Sequence, residues 1–396
     1  MGNTAAATNV GLLRTRLDLE AREAESLSPL AVLSRDSVRE HGPDRDPPPS
    51  TRTHFQRDWN RIMHSEAFRK LEYKTQVFPF GEGLDVTRTR LTHTLEVFQI
   101  AEAISCALGL NSNLVTAIAL AHDLGHPPFG HAGEDVLRDL MGFNHNAHGL
   151  RIARELEHRY PFPGLNLTTV VLEGMEKHDT DFDKIDLPEL FSGQSPPLET
   201  QIASVADMIA YRTHDIEDAL NSGILTKDDF RAAGLELWNE VEERVAQYPE
   251  EIRTAQTTRG LIDLLISDVL RETARRLGEH DVCTLADVRA HRRQLVDFSA
   301  QVHAKQDKVG AFLKDEFYNH YKIMRMTDKG KRVIRALIDE YMNNPRLLPP
   351  AVQQRIDAPS ADPDWQKRII ADHIAGMTDR YAVLEHRRLF DPEVRV

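Results

Sequence analysis

Three histidines and two carboxylates fall within His122-Asp123-Leu124-Gly125-His126-Pro127-Pro128-Phe129-Gly130-His131-Ala132-Gly133-Glu134. Imidazole nitrogens and carboxylate oxygens together make a mixed site suited to a divalent ion, and imidazole also exchanges protons near neutral pH. Gly125, Pro127, Pro128, Gly130 and Gly133 break the backbone, so these polar side chains belong where a helix ends and a cavity opens. A histidine–aspartate pair by itself reads as a capped helix end. Here it comes with His126, His131 and Glu134, and with His93 and Asp207 elsewhere in the chain, which points to metal-dependent chemistry.

The elements that must position these groups read as helices. Leu114 to Ala121 is apolar nearly all round, hence buried, and it delivers His122-Asp123 into the interior. A buried carboxylate beside imidazoles is costly unless a cation or hydrogen bonds compensate it. His93, Val97, Ile100 and Ile104 share one stripe of a helix over about Thr89–Leu108, ended by Gly109. Asp207 lies in a helix from about Glu199 to Leu220, near the stripe Ile202, Val205, Ala206 and Ile209, with Ala203 and Ala210 leaving room beside it. Asp has poor helix propensity, so its mid-helix place asks for a reason. Asp207, Tyr211 and Asp215 line up at successive turns.

Shorter helices are expected from Gly133 to Met141, past His148 to beyond Leu156, and over Leu167–Met175, ending at Lys177-His178. Later patterns predict helices over Leu235–Ala246, Arg259–Leu277, Leu285–Gln301, Gly310–Met324, Lys329–Tyr341 and Trp365–Leu384. No alternating strand run, internal repeat, glycine-rich phosphate loop or zinc-ribbon cysteine set occurs, so the fold class is all-α. Residues 1–50, with Gly42, Pro43 and Pro47-Pro48-Pro49, read as a partly flexible arm or an element that docks on a neighbouring subunit. Order begins near Thr51; 51–225 make the catalytic core, and 226–396 a helical region packing on it.

The chain has 396 residues, with 62 acidic against 49 basic side chains and a formal charge of −13. That balance argues against indiscriminate duplex binding, which needs a basic face. It leaves room for a small anion held in a local basic pocket, and Arg52, Arg57, Arg61, Arg69, Lys70 and Lys74 make 52–74 a candidate phosphate-side wall. A nucleic-acid role for that patch is secondary. Two cysteines, Cys106 and Cys283, suggest a reducing compartment and core thiols. No hydrophobic run reaches membrane-spanning length, and no secretory signal pattern opens the chain. A cytoplasmic protein is expected.

Arg90-Leu-Thr-His93, His122-Asp123, the following Gly-His-Pro-Pro-Phe-Gly-His-Ala-Gly-Glu and Asp207-Met-Ile-Ala-Tyr211 together resemble the HD-domain phosphohydrolases. Within them the match is to the deoxyguanosine-triphosphate triphosphohydrolase branch, the bacterial dNTP triphosphohydrolases. It covers roughly residues 52–220 motif by motif, while the C-terminal third fits in length and helical character only. The resemblance implies an HD-domain helical bundle with additional C-terminal helices. It also implies hydrolysis of a dNTP, dGTP or several, at the α-phosphorus, giving deoxynucleoside and intact triphosphate.

By the same resemblance His93, His122, Asp123 and Asp207 are metal ligands, and His131 with Glu134 is the catalytic pair. Two histidines favour manganese, iron, cobalt or nickel on ligand grounds, although the family is often assayed with magnesium. His131 would protonate the leaving 5′-oxygen, or the pair would manage the attacking water. His126 and His145 match positions flanking the phosphates, and Gln76-Val77 the pair against the deoxyribose, where Val77 would exclude a 2′-hydroxyl. Tyr211 and Asp215 match sugar-side positions, Arg90 would reach phosphates or base, and Lys177-His178 is a further phosphate-side candidate. Branch members form homo-oligomers and many respond to dNTPs at separate sites. The rival readings are an HD phosphohydrolase acting on another phosphoester and a nucleotide-sensing HD protein.

Overall fold

A buried helix, Ser112–Ala121, lies at the centre of the molecule, and its alanines let three neighbours approach closely. Against it pack His54–Met63, Arg90–Ala107 and Leu198–Asn221, the last two also packing on each other. This computed structural model describes residues 13–76, 88–178 and 193–395; Val77, the Gly81-Glu82-Gly83 turn and most of the acidic 179–197 loop lie outside them. Among the described residues every regular element is helical, and the only β-type pairings are the isolated bridges Arg39–Thr168 and Thr75–Thr89. None of these helices is long and apolar enough to cross a membrane.

Three apolar clusters hold the helices together. The largest runs from Ala31 through Val97, Ile104, Val205 and Ile209 to Leu265, Val296 and Phe317, so the helices bearing His93 and Asp207 share a core with Glu250–Glu279. A second gathers Phe55, Leu71, Ile118 and Leu172. The third joins Phe129, Ala132 and Val136 to Ile334, Ile370 and Ala382, so the motif's second half is packed by the C-terminal helices.

Several expectations need correcting. The chain is built in well before Thr51: Arg16–Ser26 is a helix, Ala31 and Val32 are buried, and the Val32 N–H donates to Glu199 Oε1 at 2.9 Å. The helix expected over Leu285–Gln301 stops at Ala290, because the Gln201 side-chain oxygen accepts from the Leu295 and Val296 N–H groups at 2.8 and 3.1 Å. The next helix starts at Ala300 behind a Ser299 cap and stays helical to Tyr318, where the chain breaks at Asn319-His320. Tyr321–Asn343 then runs without the interruption expected near Asp328. Trp365–Ala375 and Asp379–Phe390 are separate helices, split at Gly376-Met377-Thr378 by a Thr378 cap on the second. Both cysteines are exposed, not core thiols.

Candidate active site

His93 enters from the first turn of Arg90–Ala107, whose start is closed by a capping box on Thr89. His122 follows the last residue of Ser112–Ala121, and Asp207 lies midway along Leu198–Asn221. His93 Nε2 is 2.8 Å and His122 Nε2 3.9 Å from the same oxygen, Asp207 Oδ1. Ligands about 2.1 Å from one ion adopt spacings of this order. Asp123 stands at the edge of this three-residue cluster. Its Oδ1 is 3.5 Å from His122 Nε2 but also meets Arg90 Nη1 and His126 Nε2, each at 3.0 Å.

Two observations test whether these residues suit a cation. His122 Nε2 and Asp123 Oδ2 are both buried with no hydrogen-bond partner among the described residues. Burying unpaired acceptors costs about 1–3 kcal/mol each, more for a charged one, and a cation between them offsets that cost. The ring tautomers also suit it. His122 Nδ1 donates to the Ala119 carbonyl at 2.7 Å, which leaves the Nε2 lone pair free. The donors therefore fit a divalent ion.

His93 is oriented by a relay that the sequence reading missed. Its Nδ1 lies 3.3 Å from His214 Nδ1, and His214 Nε2 pairs with the Glu96 carboxylate. With His214 donating to Glu96, its Nδ1 accepts from His93, a tautomer whose Nε2 lone pair would face a bound cation; a protonated His93 instead donates from Nε2 to Asp207 Oδ1. Burial pulls His214 down to about 4, so it stays neutral. Burial works most strongly against a charged His93, yet the hydrogen bond to Asp207 and the Asp207 and Asp123 charges together outweigh it and raise that group. Asp207 itself is held well below the usual carboxylate range: burial opposes this, and hydrogen bonds from His178 and His93 prevail. The helical spacing of His93 and Glu96 and the place of His214 one turn past Ala210 were the signals available.

The catalytic half is a trio around one carboxylate. Glu134 is fully buried; His145 reaches its Oε1 through Nδ1 at 3.1 Å and through the backbone N–H at 2.9 Å. His131 Nδ1 is 3.5 Å from Oε2, so the carboxylate binds His145 more closely than its expected partner. Burial would raise Glu134, but the His145 charge and the hydrogen bonds of both imidazoles hold it far below the carboxylate range. His126 stacks on His145 with centroids 3.9 Å apart. Burial and the Arg90 charge keep His126 well below its ordinary value, hence neutral. His131 opens the His131–Met141 helix and is half-exposed, which leaves its ring free to meet a ligand.

One cavity is lined by Gln76, Arg90, His93, His122, Asp123, His126, His131, His145, His178, Asp207 and Tyr211, all of them candidates from the sequence, together with Met208 and Arg212. Arg90 is buried with Nε and Nη2 unpartnered among the described residues, and Gln76 Oε1 is likewise buried and unpartnered. Among the described residues three candidates do not line it. Glu134 sits behind its histidines. Lys177 is turned away, bonded to Glu173 at 3.2 Å and to the Gln194 carbonyl at 2.7 Å, and the cavity takes His178 instead, with Nε2 3.1 Å from Asp207 Oδ2. Both lie just past the Thr169–Glu176 helix, where the turn of the chain at Lys177 decides which faces the cavity. Asp215 is already engaged by Tyr318, whose hydroxyl also lies 2.9 Å from that of Tyr211, and burial raises Asp215 to about 7. Tyr318 lies outside every motif, so nothing local in the sequence marked it.

The HD domain family model matches residues 90–212, and the phosphohydrolase-associated domain model matches 296–388. Proteins named deoxyguanosinetriphosphate triphosphohydrolase-like are similar along nearly the whole chain. That of Ralstonia pickettii is 44% identical over 392 residues, covering 96% of this chain and 99% of its own. That of Geobacter metallireducens is 42% identical over 397 residues, covering 98% of each. That of Geobacter sulfurreducens is 46% identical over 353 residues, covering 86% of this chain and 90% of its own.

Proposed function

The chain belongs to the deoxyguanosinetriphosphate triphosphohydrolase-like family of HD-domain hydrolases, and from that premise we propose that it hydrolyses deoxynucleoside triphosphates at the α-phosphorus, releasing deoxynucleoside and triphosphate. The observation that carries this reading is one cavity where a nitrogen/oxygen cluster with buried unpaired acceptors adjoins an imidazole–carboxylate trio.

His93, His122, Asp207 and Asp123 would hold a divalent ion. Manganese, magnesium, iron, cobalt and nickel are the candidates. Such an ion supplies Lewis-acid polarisation of a phosphate oxygen and a template for in-line displacement. The rest falls to the chain's own groups. Arg90 keeps one N–H on Asp123 and has Nε and Nη2 for phosphate oxygens. His131, oriented by Glu134, transfers the proton that the leaving 5′-oxygen needs, for about 10²–10⁴-fold in rate. His126, kept neutral by burial and the Arg90 charge, and His145 flank the phosphates. Gln76 and Tyr211 face the sugar, where a buried amide oxygen awaits a hydroxyl. The reading also carries homo-oligomeric assembly, dNTP effectors and a cytoplasmic setting.

Incubating the metal-loaded protein with each dNTP, alone and mixed, and resolving the products tests the reading. Triphosphate and deoxynucleoside support it; orthophosphate or pyrophosphate would assign another phosphoester reaction.

A further inference from the structure

The turn that carries the catalytic imidazole is held from two distant places. Pro127 and Pro128 contribute no N–H, and Phe129 and Gly130 follow at φ 62° and 56°, a left-handed pair that only its surroundings can maintain. Two backbone groups of this turn are held by buried side chains. Lys74 Nζ donates to the His126 carbonyl at 2.5 Å and to the Ala375 carbonyl at 3.0 Å. Asp379 Oδ1 accepts from the Phe129 N–H at 2.9 Å, and its Oδ2 from the Thr75 N–H at 3.0 Å and from the Thr75 hydroxyl. Lys74 and Asp379 are 3% and 2% exposed, so both sets of bonds are buried. On the far side the Phe129 ring rests on Gly330, where an added Cβ would come within 2.9 Å of it. Neither Lys74 nor Asp379 hydrogen-bonds a residue of the metal cluster among the described residues.

We infer that Asp379 and Lys74 are positioning residues for His131, through which the phosphohydrolase-associated region sets the rate of the chemical step without holding the metal cluster. The inference rests on His131 being the proton-transferring group.

Asp379→Asn, alone and combined with His131→Ala, tests it, with Gly330→Ala as an independent way to displace Phe129 should the first variant not fold. The expected result is a kcat about 10²-fold lower, the scale of a reacting group misplaced by an ångström. KM and the metal content measured by elemental analysis should stay within twofold. In the His131→Ala background the same substitution should cost less than twofold, since its target is gone. Equal losses in both backgrounds, loss of bound metal, or unchanged kcat would overturn the inference. A fully active His131→Ala protein is a separate result: it removes the reading of His131 itself.

Discussion

The two halves of the candidate site are built in opposite ways. The metal half stands on three long helices that bury one another, with His93, His122 and Asp207 placed by helical register against alanine- and valine-lined seams. The catalytic half stands on a two-proline turn whose shape is imposed by Asp379, 250 residues further along, and by the C-terminal apolar cluster around Phe129. Rigid secondary structure fixes a ligand set without outside help, whereas a strained turn needs tertiary partners to keep its geometry. The two halves should therefore fail separately.

The largest separation is expected from Asp207→Ala. Removing the carboxylate shared by His93, His122 and His178 should abolish bound metal and lower turnover by about 10³-fold or more, with circular dichroism unchanged. A variant that keeps both metal and rate would erase the metal half as drawn. His131→Ala should do the reverse, lowering kcat by about 10²–10⁴-fold at full metal content. Depleted metal in that protein would merge the two halves into one.

His214→Ala sharpens the contrast at smaller amplitude. Losing the group that orients His93 should weaken metal affinity about 10–100-fold, and excess metal should restore the rate. Rate loss that metal cannot rescue would mean His214 acts elsewhere.

The smallest effect concerns the turn. Burial pulls the Lys74 ammonium down to about 7 from its ordinary 10.5. Between those values the unfolded chain holds a proton that the folded chain has released, so wild-type stability rises with pH across that window. Lys74→Met lacks this gain, and its Tm should fall progressively behind wild type from pH 7 to pH 10. A difference that stays flat would place Lys74 in a wetter setting than its two carbonyl partners indicate.

The contrast between the halves also explains what the sequence could disclose. The His93 and Asp207 helices were legible from apolar spacing, because burial of a stripe is written into periodicity. His122-Asp123 was legible from the buried run before it. Lys177 and His178 were not separable, since the turn of the chain just past a helix end decides which faces the cavity. Tyr318 and Asp379 act across long sequence separations, and no local pattern marks them, while His214 was marked only by its place on the Asp207 helix. The break at Ala290 was missed for the same reason: Gln201, far upstream, holds the extended chain at Leu295 and Val296.

The most direct measurement is hydrolysis of dGTP by the metal-loaded protein in 18O-labelled water, with products weighed by mass spectrometry. The account predicts triphosphate carrying one labelled oxygen and unlabelled deoxyguanosine, because water attacks the α-phosphorus and the bond to O5′ breaks. Label in the nucleoside, or labelled pyrophosphate or orthophosphate in place of triphosphate, would contradict it.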